Sequence, residues 1–281
     1  EIEPGVKKRP ESPLLTFHSH KLNPENILRI EPPEYAMDFD IESGVRNADK
    51  IIEYTIEQSK ILSAKLKENT FQLIIGGDCS ILVGNVIALK QNGNYALFYI
   101  DGHTDFIWPE LSATGGAAGM DLAIVVGYGH NKLTNIYKLK PYVNEGNIFC
   151  VGNREYDEEY VRPILESDIH YFDLKKLRNN GLANTANQFL ELVRENNLDG
   201  FFIHLDVDVL NDKIMPAVDS REIDGLTYKE FAEVLIPLLS NKKAVGIEIT
   251  ILDPNLDPDG KYTDEFIKNL NEIFEYAKAS T

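Results

Sequence analysis

The sequence predicts an α/β protein with three layers: a parallel sheet with helices on both faces. Three observations predict it. Apolar, β-rich runs recur at residues 71–75, 95–100, 147–151, 169–172, 200–205 and 244–249. Between them lie segments whose apolar residues repeat at helical spacing. Acidic residues gather just beyond several runs, at the carboxyl ends of strands where ligands bind in such sheets. Strands that alternate with helices form a parallel sheet covered on both sides.

The elements follow in order. An arm to about residue 33, rich in proline and charge, is predicted irregular. Within it His18 and His20 have chelating spacing, but two histidines in such an arm are assigned no site. Val45, Ala48, Ile51, Ile52, Thr55, Ile56, Leu62 and Leu66 mark one face of a first helix. Run 71–75 leads into Gly76-Gly77, which let the chain turn sharply, and polar residues follow where a helix begins. Run 95–100, Tyr-Ala-Leu-Phe-Tyr-Ile, has the composition of a buried strand. Run 147–151 contains Cys150, read as core, and run 169–172 follows. A helix over 184–195 turns Phe189, Leu190 and Val193 inward. Run 200–205 precedes a helix over 228–239, which Thr227 and Glu230 open with a capping-box pattern. Run 244–249 and a helix over 264–278 close the chain. No linker or shift in composition divides residues 1–281, so a single domain is expected.

Composition narrows the function. With 43% hydrophobic and 26% charged residues the chain can bury a full core. Its net charge of -17 argues against nucleic-acid or anionic-membrane partners and is compatible with a cationic substrate. No stretch is long and apolar enough to span a bilayer, and the amino terminus lacks a signal-peptide pattern. Two cysteines outside any spaced framework fit a reducing compartment, so a cytoplasmic protein is expected.

The chemistry concentrates at strand ends. Asp101-Gly-His103-Thr-Asp105 follows run 95–100. If extended geometry continues there, the three acidic and imidazole side chains project from one edge, because strand side chains repeat every second residue. Asp206 and Asp208 alternate in the same way after run 200–205. Four aspartates brought together would repel, and bound metal cations offset that repulsion. His204 shares a strand face with Asp206 and either steadies that site from behind or is a satisfied core histidine.

Taken together, Gly76-Gly77-Asp78-Cys79-Ser80, Asp101-Gly-His103-Thr-Asp105, Asp206-Val-Asp208-Val-Leu-Asn-Asp212 and Gly246-Ile-Glu248 occur in a telling order. They resemble the arginase–agmatinase (ureohydrolase) family, whose motifs are GGDHS, DAHTD, DVDxxDP and a glutamate after a late strand. The resemblance implies an arginase/deacetylase-like fold and two divalent ions, with manganese expected. It implies one ion held by Cys79, Asp101, Asp105 and Asp206, and the other by His103, Asp101, Asp206 and Asp208. It further implies a metal-activated hydroxide that attacks a guanidinium carbon and releases urea or a urea analogue. Asp105 and Glu248 are the implied catalytic carboxylates, with Glu248 pairing with the guanidinium. Asp157 and Ser220 are the other implied substrate contacts, Arg221 lies beside them, and trimers or hexamers are the implied assemblies.

The departures from the family pattern matter as much. Cys79 stands where the family has a ligand histidine, a variant seen in ureohydrolases that act on hydroxylated arginine; a thiolate can bind metal, and a small thiol can also simply pack. Ala118 stands where the family places a proton-shuttling histidine, and Ile107 and Gly116 where arginases recognise the substrate carboxylate with asparagines. L-Arginine is therefore expected to be a poor substrate, and a related guanidino or hydroxyguanidino compound a better one. Two other functions remain open at this point: a deacetylase-like amide hydrolase, and a non-catalytic binding protein on the same fold.

Overall fold

The computed structural model describes residues 27–36 and 38–279. His18, His20 and most of the predicted arm lie outside these residues, and 27–36 form neither helix nor strand. A short antiparallel ribbon pairs β1 (Phe39–Asp40) with β2 (Val45–Arg46). All six apolar runs are strands: β3 (Gln72–Ile75), β4 (Tyr95–Ile100), β5 (Ile148–Val151), β6 (His170–Phe172), β7 (Gly200–Asp206) and β8 (Ala244–Thr250). They form one sheet in the order β3-β8-β7-β4-β5-β6, and every pairing is parallel.

The helices are α1 (Ala48–Leu66), α2 (Leu82–Asn92), α3 (Asp121–Val126), α4 (Asn131–Thr134), α5 (Glu158–Leu165), α6 (Leu174–Asn180), α7 (Leu182–Glu195), α8 (Tyr228–Leu239) and α9 (Lys261–Ala279). On one face of the sheet Phe98, Phe201, Ile203 and Ile247 pack against α7, α8 and α9 through Phe189, Phe231 and Phe266. Phe189 sets its ring edge-on to Phe98 and Phe201, with centroids 5.0 and 5.2 Å away. On the other face Leu97, Tyr99, Cys150 and Phe202 meet α1, α2 and α3. Burial on both faces is why the strands read as unbroken apolar runs.

Parallel register puts the functional row in place. Tyr99 lies beside His204, and His204 beside Glu248, so the three side chains share the face under α1 and α2. The four adjacent strands β3, β8, β7 and β4 end together, and the loops beyond them converge. Among the described residues, no helix is long and apolar enough to cross a membrane.

The capping box that opens α8 forms as the sequence predicts. Thr227 Oγ1 accepts from the Glu230 backbone N–H at 3.2 Å, and Glu230 Oε2 accepts from the Thr227 N–H at 2.8 Å. Glu230 also receives Arg178 Nε at 2.7 Å, which ties α6 to α8. Thr227→Ala should lower stability by about 1 kcal/mol, measured by urea unfolding, since one orphaned amide loses its acceptor. An unchanged midpoint would show that the cap is redundant with the Arg178 contact.

Candidate metal centre

The glycine pair ends β3 and hands the chain to the site. Gly76 N–H donates to Ile249 O at 3.0 Å, and Ile251 N–H donates to Gly77 O at 2.9 Å, so β3 and β8 stay locked past their last pairs. Asp78 then caps the single 3₁₀ turn Cys79–Ile81, accepting from Ser80 N–H at 3.0 Å. That turn aims Cys79 at β7: its Sγ donates to Asp206 Oδ2 at 2.9 Å and lies 3.3 Å from Thr250 Oγ1. Cys79 is buried, 1% exposed.

After β4 the extended alternation expected from the sequence does not continue. The chain bends at Gly102 and His103, where the His103 N–H turns back to Asp101 Oδ1 at 2.6 Å, and Asp105 adopts a left-handed φ of 44°. Convergence therefore comes from a turn rather than from strand periodicity. Gly102 permits it: a Cβ there would stand 2.3 Å from Arg154 Nη1 and 2.7 Å from Asp208 Oδ1. The Gly102 N–H donates to Asp208 Oδ1 at 2.9 Å. His103 Nδ1 lies 2.9 Å from Asp208 Oδ2 and 3.7 Å from Asp101 Oδ1.

Three sets of side chains place donor atoms within 4.8 Å of one another: Cys79–Asp101–Asp206, Asp101–His103–Asp208, and Cys79–Asp121–His204. Five of the six donors expected from the sequence fall in the first two sets, and Asp101 belongs to both. Asp105 is the exception. Its Oδ2 accepts from the Tyr99 hydroxyl at 3.2 Å.

The third set was not legible in the sequence. Tyr99 stacks on His204 with ring centroids 4.2 Å apart and donates to Asp121 Oδ1 at 2.9 Å. His204 Nδ1 lies 2.5 Å from Glu248 Oε1, and Glu248 Oε2 accepts from Asn85 Nδ2 on α2. Asn85 Oδ1 in turn accepts from Gln58 Nε2 at 2.7 Å. Glu248 therefore lies within β8, fully buried with both oxygens engaged, and is not the carboxylate at a strand end that the sequence suggested. The strand runs two residues past it, to Thr250.

Other expected contacts are dispersed. Asp157 is exposed and caps α5, accepting from Glu159 and Tyr160 N–H at 3.0 and 3.2 Å. Ser220 is exposed, and Arg221 is paired with Asp212 at 2.5 Å. Ala118 lies in a 3₁₀ turn, Ala118–Met120, next to Asp121. Arg154 was not foreseen: buried to 7% exposure, it donates from Nη2 to Asp208 O at 2.6 Å, while Nε and Nη1 have no partner.

The electrostatics call for cations. Asp101, Asp105, Asp121, Asp206, Asp208 and Glu248 outnumber the two histidines among them, His103 beside Asp101 and Asp208 and His204 beside Asp101 and Glu248. At about 4 Å and an effective dielectric near 20, two like charges repel by about 4 kcal/mol. Burial, then the neighbouring carboxylates, push Asp105 and Asp206 well above the usual carboxylate range. Burial also raises Asp121, with Asp105 and Asp101 adding to it against His204. Burial and then Asp206 raise the Cys79 thiol. Burial opposes ionisation of Asp101, but His103 and His204 outweigh it and hold its carboxyl low. Burial likewise opposes a charged His103, which Asp208 and Asp101 push up to about 12. Asp101 Oδ2, Asp121 Oδ2 and His204 Nε2 are buried without hydrogen-bond partners. Orphaned acceptors on three side chains around a thiol are what divalent ions satisfy, so the donor set fits them.

The arginase family model matches residues 20–272. An arginase from Staphylococcus aureus (strain MRSA252) is 29% identical over 236 residues, spanning 83% of this chain and 77% of that protein. The solved structure of arginase from Bacillus caldovelox superposes with a TM-score of 0.80 at 24% identity, over 87% of this chain and 82% of that one. Formimidoylglutamase from Bacillus subtilis superposes with a TM-score of 0.69 at 22% identity, over 87% and 71%. These two structures share the fold.

Proposed function

The chain belongs to the arginase family, and on that premise we propose that it hydrolyses the guanidino or hydroxyguanidino group of a small cationic compound at the strand-end centre. Asp101 carries the reading. It is shared by two adjacent donor sets, the arrangement a bridging carboxylate between two ions requires. Manganese suits the oxygen-rich set of Asp101, His103 and Asp208. When bound, the ions supply Lewis acidity and bring the pKa of a coordinated water towards neutrality.

The chain's own residues do the remaining work. The chain's net charge of -17 favours the approach of a cationic substrate. Asp105, outside both donor sets, is the carboxylate we assign to the substrate's N–H groups, a role that buried Glu248 cannot fill. Ala118 carries no group that can pass on a proton, so protonation of the leaving amine must use another group or run slower. Ile107 and Gly116 bring no polar side chain to a substrate carboxylate.

A panel of L-arginine, agmatine, guanidinobutyrate and N-hydroxyarginine, read by urea or hydroxyurea release, tests the reading. Arginine should have a kcat/KM at least about 10-fold below the best member, the worth of one hydrogen bond to a charged group. Arginine as the best substrate would refute the pocket argument. Silence across the panel with metal bound would favour a deacetylase-like hydrolase or a binding role.

A further inference from the structure

We infer that the ion on the Cys79 side of the centre is held, beside Asp206, by the Cys79 thiolate, His204 Nε2 and the Asp121 carboxylate, with Asp101 linking it to its neighbour. The inference rests on the metal-dependent reading above but replaces Asp105 by two residues that the motifs do not contain. The geometry carries it. Cys79, Asp121 and His204 offer donor atoms within 4.8 Å of one another, and all three are buried. His204 and Asp121 are both 0% exposed, and His204 Nε2 and Asp121 Oδ2 have no hydrogen-bond partner. Asp101 Oδ2, also unpartnered, stands 3.8 Å from His204 Nε2.

The orientation of His204 is prepared from behind. Gln58, Asn85 and Glu248 form a hydrogen-bonded chain that ends on His204 Nδ1. A carboxylate on Nδ1 fixes the proton there and leaves the Nε2 lone pair facing the donor set, as ligating histidines are commonly arranged. Stacking on Tyr99 fixes the ring plane. As placed, Nε2 has no hydrogen-bond partner, and Asp101 Oδ2 lies 3.8 Å from it.

The chemistry of the set differs from that of its neighbour. One sulfur, one imidazole nitrogen and carboxylate oxygens suit zinc, cobalt or iron(II) better than manganese. The set is closed on all sides, whereas the His103 side chain keeps 19% exposure. The Cys79 side is thus the buried one, and an ion held at the His103 side would be the one open to a substrate.

Metal content and cobalt spectroscopy test it. Protein purified without chelator should hold two ions per chain, and cobalt loading should give a thiolate-to-cobalt charge-transfer band in the near ultraviolet. His204→Gln and Asp121→Asn should each lose one ion, weaken inner-site zinc affinity at least about 10-fold and diminish the band. His103→Asn should lose the other ion and keep the band. Zinc X-ray absorption on singly loaded His103→Asn covers the case in which the buried variants do not fold. A shell of sulfur plus imidazole nitrogen is expected, and sulfur with oxygen alone overturns the inference while leaving the proposed function standing. Two ions and an unchanged band in both His204→Gln and Asp121→Asn overturn it as well. A parent chain that takes up no divalent ion overturns both readings together.

Discussion

Asp206→Ala should release both ions and lower turnover by at least about three orders of magnitude, ~4 kcal/mol of lost transition-state stabilisation. Asp206 is 2% exposed and closes β7 at the middle of the converging strand ends. Its Oδ2 meets Cys79 Sγ at 2.9 Å, and its Oδ1 accepts from the Asp208 N–H at 2.7 Å. One residue thus holds the thiol in place and shapes the turn that presents Asp208. Alanine removes a donor oxygen and the cap together, so Asp206→Asn is the informative companion. It keeps an acceptor for the Asp208 N–H while removing the charge that divalent ions need. Loss of metal and activity in both variants, with an unfolding transition retained in the asparagine form, assigns the effect to the centre. Full metal content and turnover in either would show that Asp206 is only a strand terminator.

Much of this centre was legible because strand ends leave a mark in sequence. An apolar run followed at once by Asp or by Gly-Gly-Asp shows where burial stops and chemistry starts, and β3, β4 and β7 all announce themselves in this way. Helices with one wet face were equally readable: α1, α7 and α8 carry stripes of apolar residues. Helix α2 gave no such signal, since every residue from Leu82 to Leu89 is buried and no stripe stands out. Helix α3, Asp121–Val126, is buried throughout and too short to show a period. Asp121 was lost with it. A carboxylate opening an apolar run is the one cue that could have flagged it. The sequence could not show which residues stand side by side across the sheet, and only register unites Tyr99, His204 and Glu248. The turn at Asp105 was hidden for a different reason. Alternation in Asp101, His103 and Asp105 suggests a strand, but a glycine in second place allows a bend instead, and the bend is what forms.

Glu248→Ala should destabilise the fold by about 3–5 kcal/mol and deplete the inner ion, because removing one partner of a buried pair leaves the other uncompensated. Glu248 and His204 are both 0% exposed, and their contact of 2.5 Å joins β7 to β8 in the interior. With the carboxylate gone, the His204 Nδ1 proton and the Asn85 amide both lose their acceptor, and alanine leaves a cavity that α2 and the sheet fill only in part. Glu248→Gln isolates the electrostatic share: it preserves volume and can still accept from one neighbour, so the loss should be smaller. Urea unfolding of the two variants reads stability, and metal analysis reads the inner site. The same proteins, assayed across the guanidino panel, separate a buried positioning residue from a substrate contact. If Glu248 orients His204, kcat falls with metal content and readdition of zinc restores part of it, while KM values for different substrates move little. A large rise in KM for guanidinium-bearing substrates, with stability and metal content unchanged, would return Glu248 to the substrate-facing rim. The geometry opposes that outcome: two residues of β8 separate Glu248 from the strand's end, and neither of its oxygens is free to meet a ligand.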